Sequence, residues 1–480
     1  MKEATKAIER AIAKWLEKEF PGFWQAGMGA GVSRRWMAKI VAMFGGLGIV
    51  SSAVLRNLII AEIKRSDADA IRMAREFPIP QYVDEILSYA PGGSRHHLDP
   101  PKSQGFGECG LAERLTAIAT FIEVRLAKEG HSGKIGINIM WKITFDVLPT
   151  IYGALLAGID AIIGGAGVPM ELLEIVEKLR RGEDLYYSPL YSTTSTVGFK
   201  QDGMSEYLSQ FDLPMLVPIF SNYTFSKKIV DVWTKKHGRK PDFIVLEDYN
   251  AGGHNAPARN KICHTPEVDG VEAYFDQCLT LGVPLIVAGA YPPGVSSSDL
   301  LGYWTDRGAY GIQVGSPFAL CEETGMRSDL RDRIIAGNRA GTTKIVTSLQ
   351  YSPTKFPLKG VIMEGTLTDP EVYNARVREC RYGYLRQEFE GALVCPAMPL
   401  EQYMRLCPSK SKEQCESDCE GRICLCEGLP STVGVLDCPP VITLGLSGLD
   451  VTSLCNIREI MEDMISPQYV AEQEQLFKVA

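Results

Sequence analysis

Eight short, β-rich apolar runs between about residues 20 and 320 constrain this chain more than any other feature. They are FWQAGM (23–28), GLGIVSS (46–52), KIGINIM (134–140), GIDAIIGGAG (158–167), LPMLVPIF (213–220), PDFIVLED (241–248), VPLIVAGA (283–290) and YGIQVGSPF (310–318). The runs are continuously apolar rather than alternating, the pattern of strands buried on both faces in a parallel sheet. Helical stretches fall between them, such as LPTIYGALLA before 158 and SSDLLGYWTDRG before 310. Eight strands with helical crossovers predict an α/β fold, a (β/α)8 TIM barrel, with a doubly wound open sheet as the alternative.

Two regions break the rhythm. Residues 56–133 separate the second and third strands by more than one crossover helix and contain the Gly- and Pro-rich stretch APGGSRHHLDPPKSQGFGECG. They read as an insertion after strand two. From about 346 the alternation stops, and nine of the thirteen cysteines lie between Cys380 and Cys455. The organisation expected is an N-terminal helix (1–19), a barrel (20–345) and a Cys-rich C-terminal segment (346–480).

The start MKEATKAIERAIAKWLEKEF is charged and amphipathic, with neither the apolar core nor the small-residue cleavage site of a signal peptide. The longest apolar run, 40–55, falls short of the about 20 residues a membrane span requires. A cytoplasmic protein with reduced thiols is expected, because a chain of 480 residues buries a large core without disulfide staples. Fifty basic against fifty-eight acidic residues give a net charge of −8. That balance offers no broad basic face for nucleic acid or anionic membranes.

In a barrel, chemistry sits in the loops that follow the strands. EDYNAGGHNAP (247–257) follows strand six, where Gly252 and Gly253 admit a close backbone approach to a planar ligand and place His254 at the barrel mouth. The bland reading is a solvent-exposed loop histidine; the functional one is an imidazole that handles a proton near neutral pH. AGAYPPG follows strand seven and VGSPF follows strand eight, the two places where barrels commonly hold phosphate. Gly289, Ala290, Gly315 and Ser316 suit that role, although each turn alone is also ordinary loop chemistry. No GxGxxG or P-loop motif follows a strand, so a mononucleotide such as FMN fits better than a dinucleotide. Lys142 reads as a cation near such a ligand or, more simply, as a solvated crossover lysine. The spacings among Cys407, Cys415, Cys419, Cys424 and Cys426 match neither the common zinc signature nor standard iron–sulfur runs, so no metal is expected. The His96–His97 pair reads as a surface feature or lid contact.

These residues resemble a known family. QAGMGAGVS (25–33), GGLGIVSS (45–52), GINIM (136–140), LPTIYGALLAGIDAIIGGAGVP (148–169), AGGHNAP (251–257), GVPLIVAGAY (282–291), GIQVGSPFALCEETG (311–325) and GRICLCEGL (421–429) are similar to the nitronate monooxygenases, formerly 2-nitropropane dioxygenases. The resemblance implies an FMN-bound barrel that uses dioxygen to oxidise alkyl nitronates to carbonyl compounds and nitrite. It implies that Gln25, Gly27, Met28 and Asn138 lie beside the flavin ring and that Gly165, Ala166 and Gly167 present backbone groups to it. His254 would be the catalytic histidine, and Gly289, Ala290, Gly315 and Ser316 would hold the phosphate. It would either remove a proton from a neutral nitroalkane or steady the charge of a bound nitronate. The family usually has proline where Gly27 stands, and glycine where Ala290 stands. Partners expected are a small-molecule substrate and O₂, with NAD(P)H and a homo-oligomer left open. Two alternatives also stay open: a related enoyl-thioester or NAD(P)H:acceptor reductase, and a flavin- or acyl-binding partner protein with weak catalysis.

Overall fold

Each of the eight apolar runs contains a strand of one parallel sheet: β1 Phe23–Gln25, β2 Gly48–Ser51, β3 Ile135–Met140, β4 Ala161–Gly165, β5 Met215–Phe220, β6 Ile244–Glu247, β7 Leu285–Ala288 and β8 Gly311–Val314. The computed structural model describes residues 2–89, 109–187, 197–200, 203–254 and 269–477. The His96–His97 pair and the end of the AGGHNAP stretch lie outside them. Sheet order runs β1-β8-β7-β6-β5-β4-β3-β2. A parallel bridge between Trp24 and Leu47 joins the two ends, with Gln25 N–H donating to Leu47 O and Leu47 N–H to Phe23 O. The sheet therefore closes, and the open-sheet alternative falls.

Alternation along each strand divides the apolar residues between two cores. Trp24, Ile49, Ile163, Val217, Val245 and Ile286 point into the barrel. Phe23, Val50, Ile162, Leu216, Leu246 and Val287 point out against the helices. At the strands' N-terminal ends Phe20, Trp24, Phe243 and Tyr310 pack edge to face and tilted, with ring centroids 5.0–6.1 Å apart. Trp24 Nε1 donates to Pro21 O at 2.7 Å, so even the indole N–H is satisfied. The bottom of the barrel is sealed.

The long β2–β3 connection is helical where it is described: Leu55–Lys64, Ala68–Ala74, Pro80–Ser88 and Leu111–Lys128. The last of these is the crossover helix and is buried along most of its length. Around it Arg34 and Arg35 meet Glu123 and Glu62 in a buried ion network, with Arg34 Nε–Glu123 Oε1 at 2.6 Å.

Beyond the barrel, β9 (Lys344–Ser348) runs antiparallel to β10 (Leu358–Ile362). β10 also pairs with the two-residue strand Gly253–His254, in register Leu358↔His254 and Lys359↔Gly253. The C-terminal segment is thus hydrogen-bonded onto the loop after β6, over the barrel mouth. Cys395, Cys407, Cys415 and Cys419 sit in a buried cluster with Met398 and Tyr403, packing as small apolar side chains. Burial pushes the Cys419 thiol up to about 11. All twelve described cysteines are free thiols, and the described residues contain no group of three or more candidate metal ligands. No helix among the described residues is long and apolar enough to cross a membrane.

Candidate active site

The C-terminal ends of the strands present small and polar residues, and a cavity of about 220 Å³ opens there. Of the residues singled out from the sequence, Gly27, Met28, Asn138, Gly165, Ala166, Gly252, Gly253, His254, Gly289, Gly315 and Ser316 line it. Gln25, Gly167 and Ala290 do not. Gln25 is fully buried, and its Oε1 accepts from Ile49 N at 3.0 Å while Nε2 donates to Ala26 O. Its amide ties β1 to β2 at the closure of the sheet. A Cβ on Gly167 would lie 2.7 Å from Trp141 Cβ, so its backbone packs against that residue. Ala290 O instead accepts from Trp304 Nε1 at 3.1 Å.

Gly27 stands where the resemblance leads one to expect proline, and the packing explains the difference. A Cβ there would lie 2.3 Å from Asn138 Cβ. The bare backbone lets Asn138 occupy that space, and the Asn138 amide makes no hydrogen bond to a described residue. Gly289 has φ +70°, and a Cβ on it would approach Ala251 within 3.0 Å, so the turn after β7 requires glycine.

The loop after β6 is shaped by Asp248, which accepts from Asn250 N at 3.0 Å and Val271 N at 2.9 Å. Burial pushes this carboxyl up to about 6. Gly252 makes room for chain rather than ligand, since a Cβ would meet Gly445 N at 2.6 Å. His254 is half-buried, and its Nε2 lies 2.6 Å from Ser352 Oγ. The exposed-loop reading of this histidine is overturned, because the C-terminal segment pairs with it and covers it. Burial, reinforced by the nearby Lys142 cation, holds the imidazole well below its usual pKa, so it is neutral at pH 7. Lys142 is itself 3% exposed, with Nζ 3.2 Å from the centroid of the Phe356 ring. The solvated reading of Lys142 fails for the same reason: the tail closes over it.

Several cavity residues escaped the sequence reading. Gln313 on β8 is one, and its Oε1 is buried without a hydrogen-bond partner among the described residues. Its polar side chain within the otherwise apolar run GIQVG is the signal by which it could have been found. From the tail come Leu358, Leu429, Thr443, Leu444, Gly445 and Ser447, which no local pattern marks. Gly445 N–H donates to Ser316 Oγ at 3.1 Å. This fixes the hydroxyl and leaves its own proton for a ligand.

No family model and no curated protein sequence matches this chain. Among solved structures it is similar to FabK from Thermotoga maritima, at a TM-score of 0.50 and 11% identity over 95% of each chain. It is also similar to the enoyl reductase domain of MlnA from the macrolactin biosynthesis cluster of Bacillus amyloliquefaciens, at 0.48 and 11% over 95% of each. For nitroalkane oxidase from Streptomyces ansochromogenes the values are 0.44 and 12%, over 95% of this chain and 97% of that one. At such identities the likeness is one of fold. The barrel is a TIM barrel.

Proposed function

We propose that the chain is an FMN-dependent oxidoreductase that oxidises alkyl nitronates with O₂ to a carbonyl compound and nitrite. The observation that carries the reading is a glycine-lined cavity that holds both a neutral, anchored imidazole and a buried acceptor, Gln313 Oε1, without a partner among the described residues. The residues present fit FMN. Gly315 adds no side chain where a Cβ would lie 3.3 Å from Ala26 Cβ and 3.8 Å from Met28 Sδ. Gly289, Gly315 and Ser316 would hold the phosphate, with Ala290 adding its backbone to that turn. Gln313 would accept from a ribityl hydroxyl or a ring N–H, and Asn138 would hydrogen-bond the ring. Bound FMN supplies a two-electron redox group that no side chain offers.

The protein's own part is electrostatic. A nitronate arrives without its acidic proton, so the site has to hold negative charge rather than create it. His254 lines the cavity and the buried Lys142 cation acts on it, where a low dielectric magnifies their effect. Met140, Ile219, Leu358 and Leu429 line the same space and exclude water. That apolar wall also favours a second reading, reduction of an enoyl thioester whose acyl chain lies along it.

One experiment separates them: anaerobic reduction of the bound flavin, followed by absorbance, with a preformed nitronate, NADH or NADPH as the only reductant. Bleaching by nitronate and not by the nicotinamides supports the first reading. Bleaching by NADH or NADPH alone supports the second. Folded protein that neither carries nor takes up FMN overturns both.

A further inference from the structure

We propose that Ser352 and Thr354 of the C-terminal segment hold His254 as the tautomer protonated on Nδ1, so that the imidazole offers an anionic substrate oxygen a hydrogen-bond donor instead of a base. The inference deepens the proposed function and rests on it for the identity of that oxygen, one oxygen of a nitronate.

Counting donors and acceptors decides the tautomer. Ser352 is fully buried and Thr354 is 6% exposed. Ser352 Oγ lies 2.6 Å from His254 Nε2 and 2.8 Å from Thr354 Oγ1, and it accepts from Thr354 N at 3.2 Å. Thr354 Oγ1 has only one further neighbour among the described residues, His254 Nε2 at 3.4 Å. Suppose Nε2 carries the proton and donates to Ser352. Ser352 Oγ then accepts from Nε2 and from Thr354 N–H, its own proton goes to Thr354 Oγ1, and the Thr354 hydroxyl proton is left without an acceptor. A buried orphan donor carries a desolvation cost that nothing offsets. Suppose instead Nε2 is bare. Thr354 O–H and N–H then donate to Ser352 Oγ, Ser352 O–H donates to Nε2, and every donor of the buried Ser352–Thr354 pair is satisfied, so that the one donor left over belongs to a side chain that lines the cavity, where a ligand can accept from it. The imidazole proton is left on Nδ1, which has no partner among the described residues.

The loop bearing the two hydroxyls is held rigidly. Arg422 Nη1 donates to Leu349 O, Gln350 O and Ser352 O at 2.8, 3.0 and 2.9 Å. β10 pairs directly with His254 from the other side of that loop. Ser352 is therefore a positioning residue that acts through His254 and touches no substrate itself. An Nδ1–H placed where charge resides on a substrate oxygen does the work of an oxyanion-hole donor.

The test is ring-nitrogen NMR of the full-length protein labelled with 15N-histidine, with and without FMN. The sequence holds only six histidines, and the His254 signals are those lost in His254→Asn. Expected is a protonated Nδ1 and a bare, hydrogen-bonded Nε2. Ser352→Ala is expected to move the equilibrium toward the Nε2–H form, and Ser352→Thr to keep the wild-type tautomer. On a preformed nitronate, Ser352→Ala should lower kcat about tenfold or more with FMN content unchanged, and Ser352→Thr should restore it. A wild-type spectrum showing Nε2–H overturns the proposal, as does a tautomer indifferent to Ser352→Ala. Should that variant fail to fold, Thr354→Val and the wild-type spectrum still decide it. An Nδ1–H tautomer in a protein inactive on nitronates would leave the proposal standing and overturn the functional reading instead.

Discussion

The two ends of one barrel are built from opposite materials. At the strands' N-terminal ends Phe20, Trp24, Phe243 and Tyr310 fill the lumen with interlocking rings. At the C-terminal ends Gly27, Gly165, Gly289 and Gly315 leave it open, and Gln313 Oε1 goes without a hydrogen-bond partner among the described residues. The bottom concentrates apolar burial and stabilises the sheet. The mouth gives up burial and keeps space and unsatisfied hydrogen-bonding capacity, which only a ligand recovers. Damage at one end should therefore be thermodynamic, and at the other chemical.

The largest expected effect lies at the bottom. Trp24→Ala should cost about 3–5 kcal/mol of unfolding free energy, measured by denaturant titration, because it removes a fully buried indole and leaves a cavity. FMN bound per folded molecule should not change. If the flavin were lost with the stability, the two ends would not be separable. At the mouth His254→Leu should lower kcat on a preformed nitronate about 10²–10³-fold, the usual cost of losing an oxyanion donor. Its unfolding free energy should fall less than that of Trp24→Ala, by the about 1–3 kcal/mol lost when the buried Ser352 hydroxyl loses its acceptor. Gly315→Leu comes next: FMN affinity by fluorescence titration should fall about tenfold or more, since its side chain starts within 4.0 Å of Ala26 and Met28 and extends into the cavity. The smallest effect belongs to neither end. Arg10→Ala breaks an exposed pair with Asp306, whose side chains are 62% and 46% accessible, and should change stability by no more than about 0.5 kcal/mol.

Much of the barrel was legible because its signals are local. A strand buried on both faces has to be apolar at every position, so KIGINIM and PDFIVLED are visible without knowing their neighbours. Glycine-bearing turns after β7 and β8 are likewise encoded where they act, and Gly289 and Gly315 line the cavity accordingly. Gln25 and Gly167 show the limit of that logic. Each sits in a motif beside the mouth, yet the Gln25 side chain turns into the β1–β2 seam and the Gly167 backbone packs against Trp141, where a Cβ would collide. Lys142 shows it again, since nothing near it in sequence predicts that Phe356 will cover its ammonium group.

Composition, periodicity and turn chemistry in the sequence determined the number of strands, their parallel order and the loops that carry His254, Gly289 and Gly315. Each of these depends on residues within a few positions of one another. The tertiary structure alone decided what surrounds them: that the lumen is plugged at one end, that Gly445 reaches Ser316, and that Ser352 anchors the imidazole of His254 across 98 positions of chain. Such contacts join segments with no shared periodicity. Their cost in chain entropy is met only when the closed barrel brings β10 and the loop after β6 side by side.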